Sequence, residues 1–176
     1  MNRKTILYIA ASADGYIAKP GDNLDFLNAV AQEGEDYGYG AFYDQIDTVI
    51  MGKRTYDWVM EQVSEFPHQG KETYVLTREK LDPIGTIQFY SGNLSELVSR
   101  LKTRTGKHIF VDGGAQTVHR FLEDGLLDEV IISYIPVLLG EGIRLFQGRV
   151  AEQKLELVSS KNYTSGLVQL HYRVVC

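Results

Sequence analysis

Apolar residues in this chain arrive in short runs, each followed by a stretch whose apolar positions stand three and four apart. Continuous runs predict strands buried on both faces, and the wider spacing predicts helices with one buried side. Thr5 to Ala11 reads as the first strand, and a loop rich in Gly and Asp follows from Asp14 to Asn23. A helical region is predicted from Asp25 to Gln45, interrupted near Gly38 and Gly40. Next come the strand Asp47 to Met51, a helix after Lys53, and the strands Thr73 to Leu76 and Thr86 to Tyr90. Leu94, Leu97, Val98 and Leu101 then define a helix face behind Asn93, with Glu96 in capping-box spacing. The strand His108 to Val111 leads through two glycines into a helix whose core face is Val118, Phe121 and Leu122, with Gly125 suited to its C-terminal cap.

From Leu127 the pattern changes to strands alone. Glu129 to Ile135 is apolar and β-branched, and Val168, Leu170, Tyr172 and Val174 alternate with Gln169, His171 and Arg173 as in a half-exposed strand. A C-terminal antiparallel hairpin with its turn near Thr164-Ser165-Gly166 is expected. Alternating units followed by an antiparallel end predict an α/β fold of three layers, a mostly parallel sheet with helices on both faces.

The candidate chemistry sits where predicted strands end. In Val111-Asp112-Gly113-Gly114-Ala115-Gln116 a strand passes through the glycine pair into a helix start, where unpaired N–H groups and a partial positive charge favour a phosphate. Strand-Gly-Gly-helix turns also serve close packing. Met51-Gly52-Lys53-Arg54-Thr55-Tyr56 is a second strand-to-helix junction, with a basic pair and a hydroxyl, and Val75-Leu76-Thr77-Arg78 ends a third strand in a hydroxyl and a guanidinium.

Composition narrows the classes. The 176 residues, 44% of them hydrophobic, suit one domain spanning 1–176, and neither a linker nor a repeat divides them. A net charge of −5 argues against broad nucleic-acid binding. Met1 to Leu7 holds no signal-peptide core and no segment has the length of a membrane span, so a cytoplasmic, membrane-free protein is expected. The single cysteine, Cys176, precludes an intrachain disulfide, and dispersed His68, His108, His119 and His171 suggest no metal site.

The chain resembles the dihydrofolate reductase superfamily, and more closely its branch of riboflavin-pathway pyrimidine reductase domains and their stand-alone relatives. The likeness covers nearly the whole length. It rests on Ser12-Ala13-Asp14-Gly15-Tyr16-Ile17-Ala18, the three strand-end motifs above, and Ile135-Pro136-Val137-Leu138-Leu139-Gly140-Glu141-Gly142, all in the family's order. It implies a mixed sheet of about eight strands and an enzyme that uses NADPH to reduce a small heterocyclic substrate. An aminopyrimidine, 5-amino-6-(5-phosphoribosylamino)uracil, is the named possibility. No deaminase segment accompanies it, so only a reductase step is implied.

By the same resemblance, Gly113, Gly114, Ala115, Gln116 and Thr117 receive the pyrophosphate, with a cis peptide between the glycines. Lys53, Arg54 and Thr55 hold adenosine phosphates, Gly52, Leu76 and Thr77 also touch the cofactor, and Arg78 matches a place that meets a 2′-phosphate, so that the cluster of Lys53, Arg54 and Arg78 favours NADPH over NADH. Ala10 and Ile17 line the nicotinamide pocket beneath a mobile loop from Asp14 to Asp22. Asp14, Tyr16, Leu24, Ser133, Tyr134 and Pro136 fall on the substrate side, although strand alternation lets only one of Ser133 and Tyr134 face a pocket. Asp25 is nearest to the carboxylate with which folate reductases assist protonation, with Asp36 and Asp44 as alternatives. Tyr37, Tyr39 and Tyr43 form a substrate wall, a dimer contact or core. A homodimer through the sheet edge or C-terminal strands is also implied, with Val168, Leu170 and Tyr172 suited to either the contact or the core. A true dihydrofolate reductase and a nucleotide-binding module without turnover stay open beside the pyrimidine reductase.

Overall fold

Uninterrupted apolar runs become the middle of a sheet because both of their faces are covered. In chain order the elements are β1 (Thr5–Ser12), β2 (Tyr16–Ala18), α1 (Tyr39–Tyr43), β3 (Ile46–Gly52), α2 (Lys53–Gln62), β4 (Glu72–Leu76), β5 (Ile87–Tyr90), α3 (Leu94–Thr103), β6 (His108–Gly113), α4 (Ala115–Glu123), β7 (Glu129–Ile135), β8 (Ile143–Arg144), β9 (Lys154–Asn162) and β10 (Val168–Val175). The computed structural model describes residues 2–175; Cys176, the single cysteine, lies outside the described residues.

Eight strands form one sheet in the order β5-β4-β3-β6-β1-β7-β10-β9. Every pair from β5 to β7 is parallel, while β10 joins β7 and β9 joins β10 antiparallel. This is the mixed sheet of the dihydrofolate reductase-like fold, with the C-terminal hairpin at one edge. On one face, Leu97, Val98 and Leu101 of α3 and Val118 and Phe121 of α4 share a core with Leu7, Ile50, Ile109, Val111, Val130 and Ile132. Full burial of each such side chain contributes about 1.5–3 kcal/mol. On the other face Phe42 packs on Ile6, Val49, Phe110 and Ile131, while Tyr56 packs with Met51, Phe66 and Val75.

Local signals account for the helix ends. The Asn93 side chain accepts from the Glu96 N–H and starts α3. Gly125, at φ +61°, closes α4: its N–H reaches Leu122 O and the Leu126 N–H reaches Phe121 O, the two bonds of a Schellman cap.

Three predicted features take another form. The helical region from Asp25 to Gln45 is only a 3₁₀ helix, Asp25–Val30, and the short α1. Between them Gly34, Tyr37 and Gly38 take positive φ, and the Asp36 carboxylate accepts from Gly38 and Gly40 N–H, so local polar bonds outcompete the helix. The loop after Asp14 contains β2, which pairs with the unpredicted β8, and a 3₁₀ turn, Pro20–Asp22. In β10 the most buried residue is Gln169, 9% exposed, while Val168 is 39% exposed. The Gln169 amide donates to Tyr8 Oη, Ser133 Oγ and Tyr37 O, and this network selects which side of the strand faces inward.

Candidate active site

The carboxyl ends of the parallel strands converge on one edge. Register sets Met51 beside Gly113 and Gly52 beside Leu76, so all three strand-end motifs are neighbours. Gly113 has φ +96°, and the peptide joining it to Gly114 is cis. Gly114 is the N-cap of α4 and Gly52 that of α2, and neither helix start carries a side-chain cap. Two sets of first-turn N–H groups, with their partial positive charge, therefore remain available side by side.

Threonine hydroxyls tie the two starts together. Gly114 N–H donates to Thr55 Oγ1 at 2.8 Å, and Thr117 stands over Gly52. A Cβ on Gly52 would lie 2.7 Å from Thr117 Oγ1, and one on Gly114 would lie 3.1 Å from Thr55 Oγ1. Glycine at both places keeps the space between the two helix starts free of side chains, and this fits a phosphate group. Ala115 and Thr117 are buried behind this surface, and Gln116 is exposed.

Charged residues flank it. Lys53 Nζ contacts Asp57 at 2.7 Å on its own helix, and Arg54, whose side chain is 73% exposed, reaches back to Asp22 at 2.7 Å. The Arg54 contact joins α2 to the Pro20–Asp22 turn. Thr77 Oγ1 accepts from the Glu79 N–H, and Arg78 next to it is exposed.

Beyond β6 the edge changes character. Ser12 Oγ donates to the Asp14 carboxylate, which also accepts from Leu139 and Gly140 N–H at 3.1 and 2.7 Å. The Ser12 bond, opposed by slight desolvation and aided by the Gly140 and Leu139 amides, lowers the Asp14 pKa to about 2. Tyr16 is buried, its hydroxyl on Gly140 O and its ring beneath the Arg144 guanidinium. Asp14 and Tyr16 thus anchor the Pro136–Gly142 segment to β2. Gly142, at φ +132°, passes so close to Ala18 O that no Cβ fits.

Two cavities open here. The larger, about 540 Å³, is bordered by Lys19, Asp25, Phe26, Asn28, Leu138 and Leu139, and Asp25 is ion-paired with Lys19 at 2.6 Å. The smaller, about 240 Å³, is aromatic: Tyr8, Tyr37 and Tyr39 form its wall, with Ala10, Leu27 and Ser133 beside them. Ala10 and Ser133 are register partners on one face of β1 and β7. Tyr134 faces the other side, packed against the large core with Ile17, and burial raises its pKa. Leu24 packs near the aromatic cavity with Leu27 and Tyr37, and Pro136 is exposed beside Gly166. The structure therefore gathers Ala10, Ser133 and the alternative carboxylate Asp36 at one pocket and places Asp25 at another.

Residues outside the sequence-derived site also meet here. Asp112, immediately before the glycine pair, contacts the buried His68, whose other nitrogen meets Tyr43. Gln169 supports the floor of the aromatic cavity through Ser133. Only the placement of Asp112 within the glycine motif hinted at any of these.

Comparison with known proteins identifies the family and the fold. The model of the RibD C-terminal domain matches residues 63–169. The uncharacterized Bacillus subtilis protein YwjB is 42% identical over 173 residues, covering 98% of each chain. A putative riboflavin biosynthesis protein from Shewanella sp. PV-4 superposes with a TM-score of 0.89 at 29% identity, over 98% of this chain and 99% of that one. The Thermotoga maritima diaminohydroxyphosphoribosylaminopyrimidine deaminase/5-amino-6-(5-phosphoribosylamino)uracil reductase shares the fold with a TM-score of 0.73 at 13% identity, over 99% of this chain and 57% of that one. Parallel strand ends, paired glycines and an antiparallel edge hairpin are thus the features of a riboflavin-biosynthesis-type reductase fold, and the chain belongs to the RibD C-terminal domain family of the dihydrofolate reductase-like superfamily.

Proposed function

We propose that the protein is an NADPH-dependent oxidoreductase that transfers a hydride to a small heterocyclic substrate or to an imine-like or carbonyl-like bond, with 5-amino-6-(5-phosphoribosylamino)uracil the first substrate to try. The observation that carries the reading is the pair of uncapped helix starts joined by the Gly114–Thr55 hydrogen bond, with glycines where a Cβ would crowd Thr117 and Thr55. Gly113, Gly114, Ala115, Gln116 and Thr117 would hold the pyrophosphate, and Gly52, Lys53, Arg54 and Thr55 the adenosine phosphates. Exposed Arg78, beside Leu76 and Thr77, would pair with a 2′-phosphate. NADPH, when bound, supplies the hydride. Ala10 and Ser133 would orient the acceptor ring against the tyrosine wall, and closure over it would exclude water. Folate reduction has less support, because Asp25 borders the other cavity, and Asp36, at the aromatic one, accepts from the Gly38 and Gly40 N–H groups with its two oxygens.

We include a homodimer in this proposal. Leu155, Leu157 and Val158 on the edge strand β9 are 42%, 58% and 46% exposed, and a second copy would cover them. Light scattering on the purified protein tests it, and a monomer at high concentration would refute it.

Titration of NADPH and NADH into the wild type and Gly114→Val tests the main reading. Tight NADPH binding that the substitution abolishes is the expected result. A wild type that binds neither nucleotide would overturn it.

A further inference from the structure

His68 is 4% exposed, yet it belongs to no apolar pattern in the chain. A buried imidazole is costly unless both of its nitrogens are satisfied, and here both are. Nε2 stands 3.1 Å from Asp112 Oδ2, and Nδ1 stands 3.0 Å from the Tyr43 hydroxyl. A carboxylate only accepts, so Nε2 carries the proton and donates it. The Tyr43 hydroxyl faces Nδ1 and can donate to a lone pair there. Burial and the nearby charge of Asp112 raise the Tyr43 pKa, which keeps that hydroxyl a donor. The ring is thereby held from one end and the carboxylate from the other.

A satisfied core histidine would show the same two bonds. What sets this one apart is the position of its partner. Asp112 is the last residue before Gly113, it lies on the same side of β6 as Phe110, and its side chain is 25% exposed. His68 engages Oδ2, and among the described residues Oδ1 has no hydrogen-bond partner. Tyr39, a wall of the aromatic cavity, stacks on Tyr43 at 5.5 Å, and burial followed by the charge of Asp112 raises its pKa. The rigid frame around the pair is aromatic as well, since Phe110 meets both His68 and Tyr39 edge-on.

We infer that His68 is a positioning residue: with Tyr43 it holds the Asp112 carboxylate so that the free oxygen accepts an N–H from a planar nitrogen heterocycle seated against Tyr39. The inference rests on the reductase reading for that ring being part of the substrate. It assigns to Asp112 the polar recognition that the sequence pattern offered to Asp25. Two features of the ring follow, a flat face for the tyrosines and an N–H donor edge for the carboxylate.

The test uses 2,4-diaminopyrimidine as the probe, with calorimetric titration of the wild type, Asp112→Asn, His68→Leu and His68→Gln. Glutamine keeps a donor near the position of Nε2, while leucine keeps only bulk. Loss of a hydrogen bond to a charged group predicts affinity weakened by about tenfold or more in Asp112→Asn and His68→Leu, and by no more than about threefold in His68→Gln. Nitrogen-15 spectra of the wild-type His68 ring should show a proton on Nε2. Thermal melts and NADPH titration of the same four proteins report folding and the nucleotide cradle separately. A wild type that ignores the probe, equal affinity in all four proteins, or a ring protonated on Nδ1 alone would each overturn the inference. Loss of NADPH binding across the set would instead strike the reductase reading, leaving the probe and the ring spectra to judge His68.

Discussion

Gly52→Ala is the sharpest probe of the nucleotide cradle, because its expected effect is steric and of known direction. Gly52 has φ −78° and ψ 152°, an extended conformation open to any residue, so alanine brings no backbone strain. The new methyl would lie 2.7 Å from Thr117 Oγ1, where ordinary contact begins at 3.4 Å. Thr117 is buried in the first turn of α4, so relief requires that the helix start or the hydroxyl move. Overpacking of this kind costs about 1–3 kcal/mol. Charged to nucleotide binding, it corresponds to a loss of roughly fivefold to 150-fold in NADPH affinity. Fluorescence titration measures that loss, and a parallel melt shows how much of the strain falls on the free protein. Thr117→Ala removes the clashing oxygen, so the double variant should recover part of the loss, with a coupling of at least about 0.5 kcal/mol. A folded Gly52→Ala that binds NADPH as the wild type does would refute the reasoning.

Further outcomes follow from single contacts. Arg78→Ala should weaken NADPH by roughly tenfold to 100-fold and leave NADH nearly unchanged, since a charge-assisted bond to a phosphate contributes about 1.5–3 kcal/mol; equal effects on the two nucleotides would remove the assignment. Asp14 titrates at about 2 instead of 3.8, so its folded pKa is depressed and its contribution to stability is present above 3.8 and lost as pH falls toward 2. The difference in melting temperature between wild type and Asp14→Ala should therefore be constant near neutral pH and close across that acid window; a gap that persists at pH 2 would contradict this. Arg3, buried at the opposite end of the sheet, donates to Asp47, Thr48 Oγ1, Lys107 O and Leu101 O. Arg3→Met should lower unfolding stability by about 1–3 kcal/mol in denaturant titration, because the buried carbonyl of Leu101 loses its donor while Asp47, whose side chain is 37% exposed, keeps the Thr48 hydroxyl and the Lys107 N–H.

What the sequence revealed and what it hid divide along the range of the interaction. The glycine pair, the Asn93 cap and the Gly125 cap are local, each decided by a few adjacent residues, and each stands where its pattern predicts. The Asp25 to Gln45 helix failed although its apolar spacing was helical, because Asp36 could satisfy the Gly38 and Gly40 amides itself. Gln169 was placed outward by alternation and lies inward, since its partners Tyr8, Tyr37 and Ser133 come from three distant segments. His68 and Asp112 are 44 residues apart, and nothing in the spacing of either announces the other. Asp25 was chosen for its place after a loop, while the ion pair with Lys19 depends on how that loop folds.

The two ends of the sheet spend their polar groups in opposite ways. At the amino ends of the strands Arg3 is saturated by four acceptors, and the Thr5 N–H and hydroxyl both donate to Asp128, which Lys102 also meets. Such groups are satisfied within the fold, and altering them changes stability before anything else. At the carboxyl ends two helix starts have no side-chain cap, Arg78 is exposed, and one oxygen of Asp112 is unengaged among the described residues. The sequence places glycine where capping side chains commonly stand, and this gives up local helix stability. Burial elsewhere offsets that cost: Leu94, Leu97, Val98 and Leu101 are each at most 2% exposed, and Phe121 and Val118 are fully covered. A fold stabilised by its core and its amino-end ion pairs can leave donors and acceptors unpaired at the other edge. That edge is where a nucleotide phosphate and a ring with N–H donors would find partners already oriented.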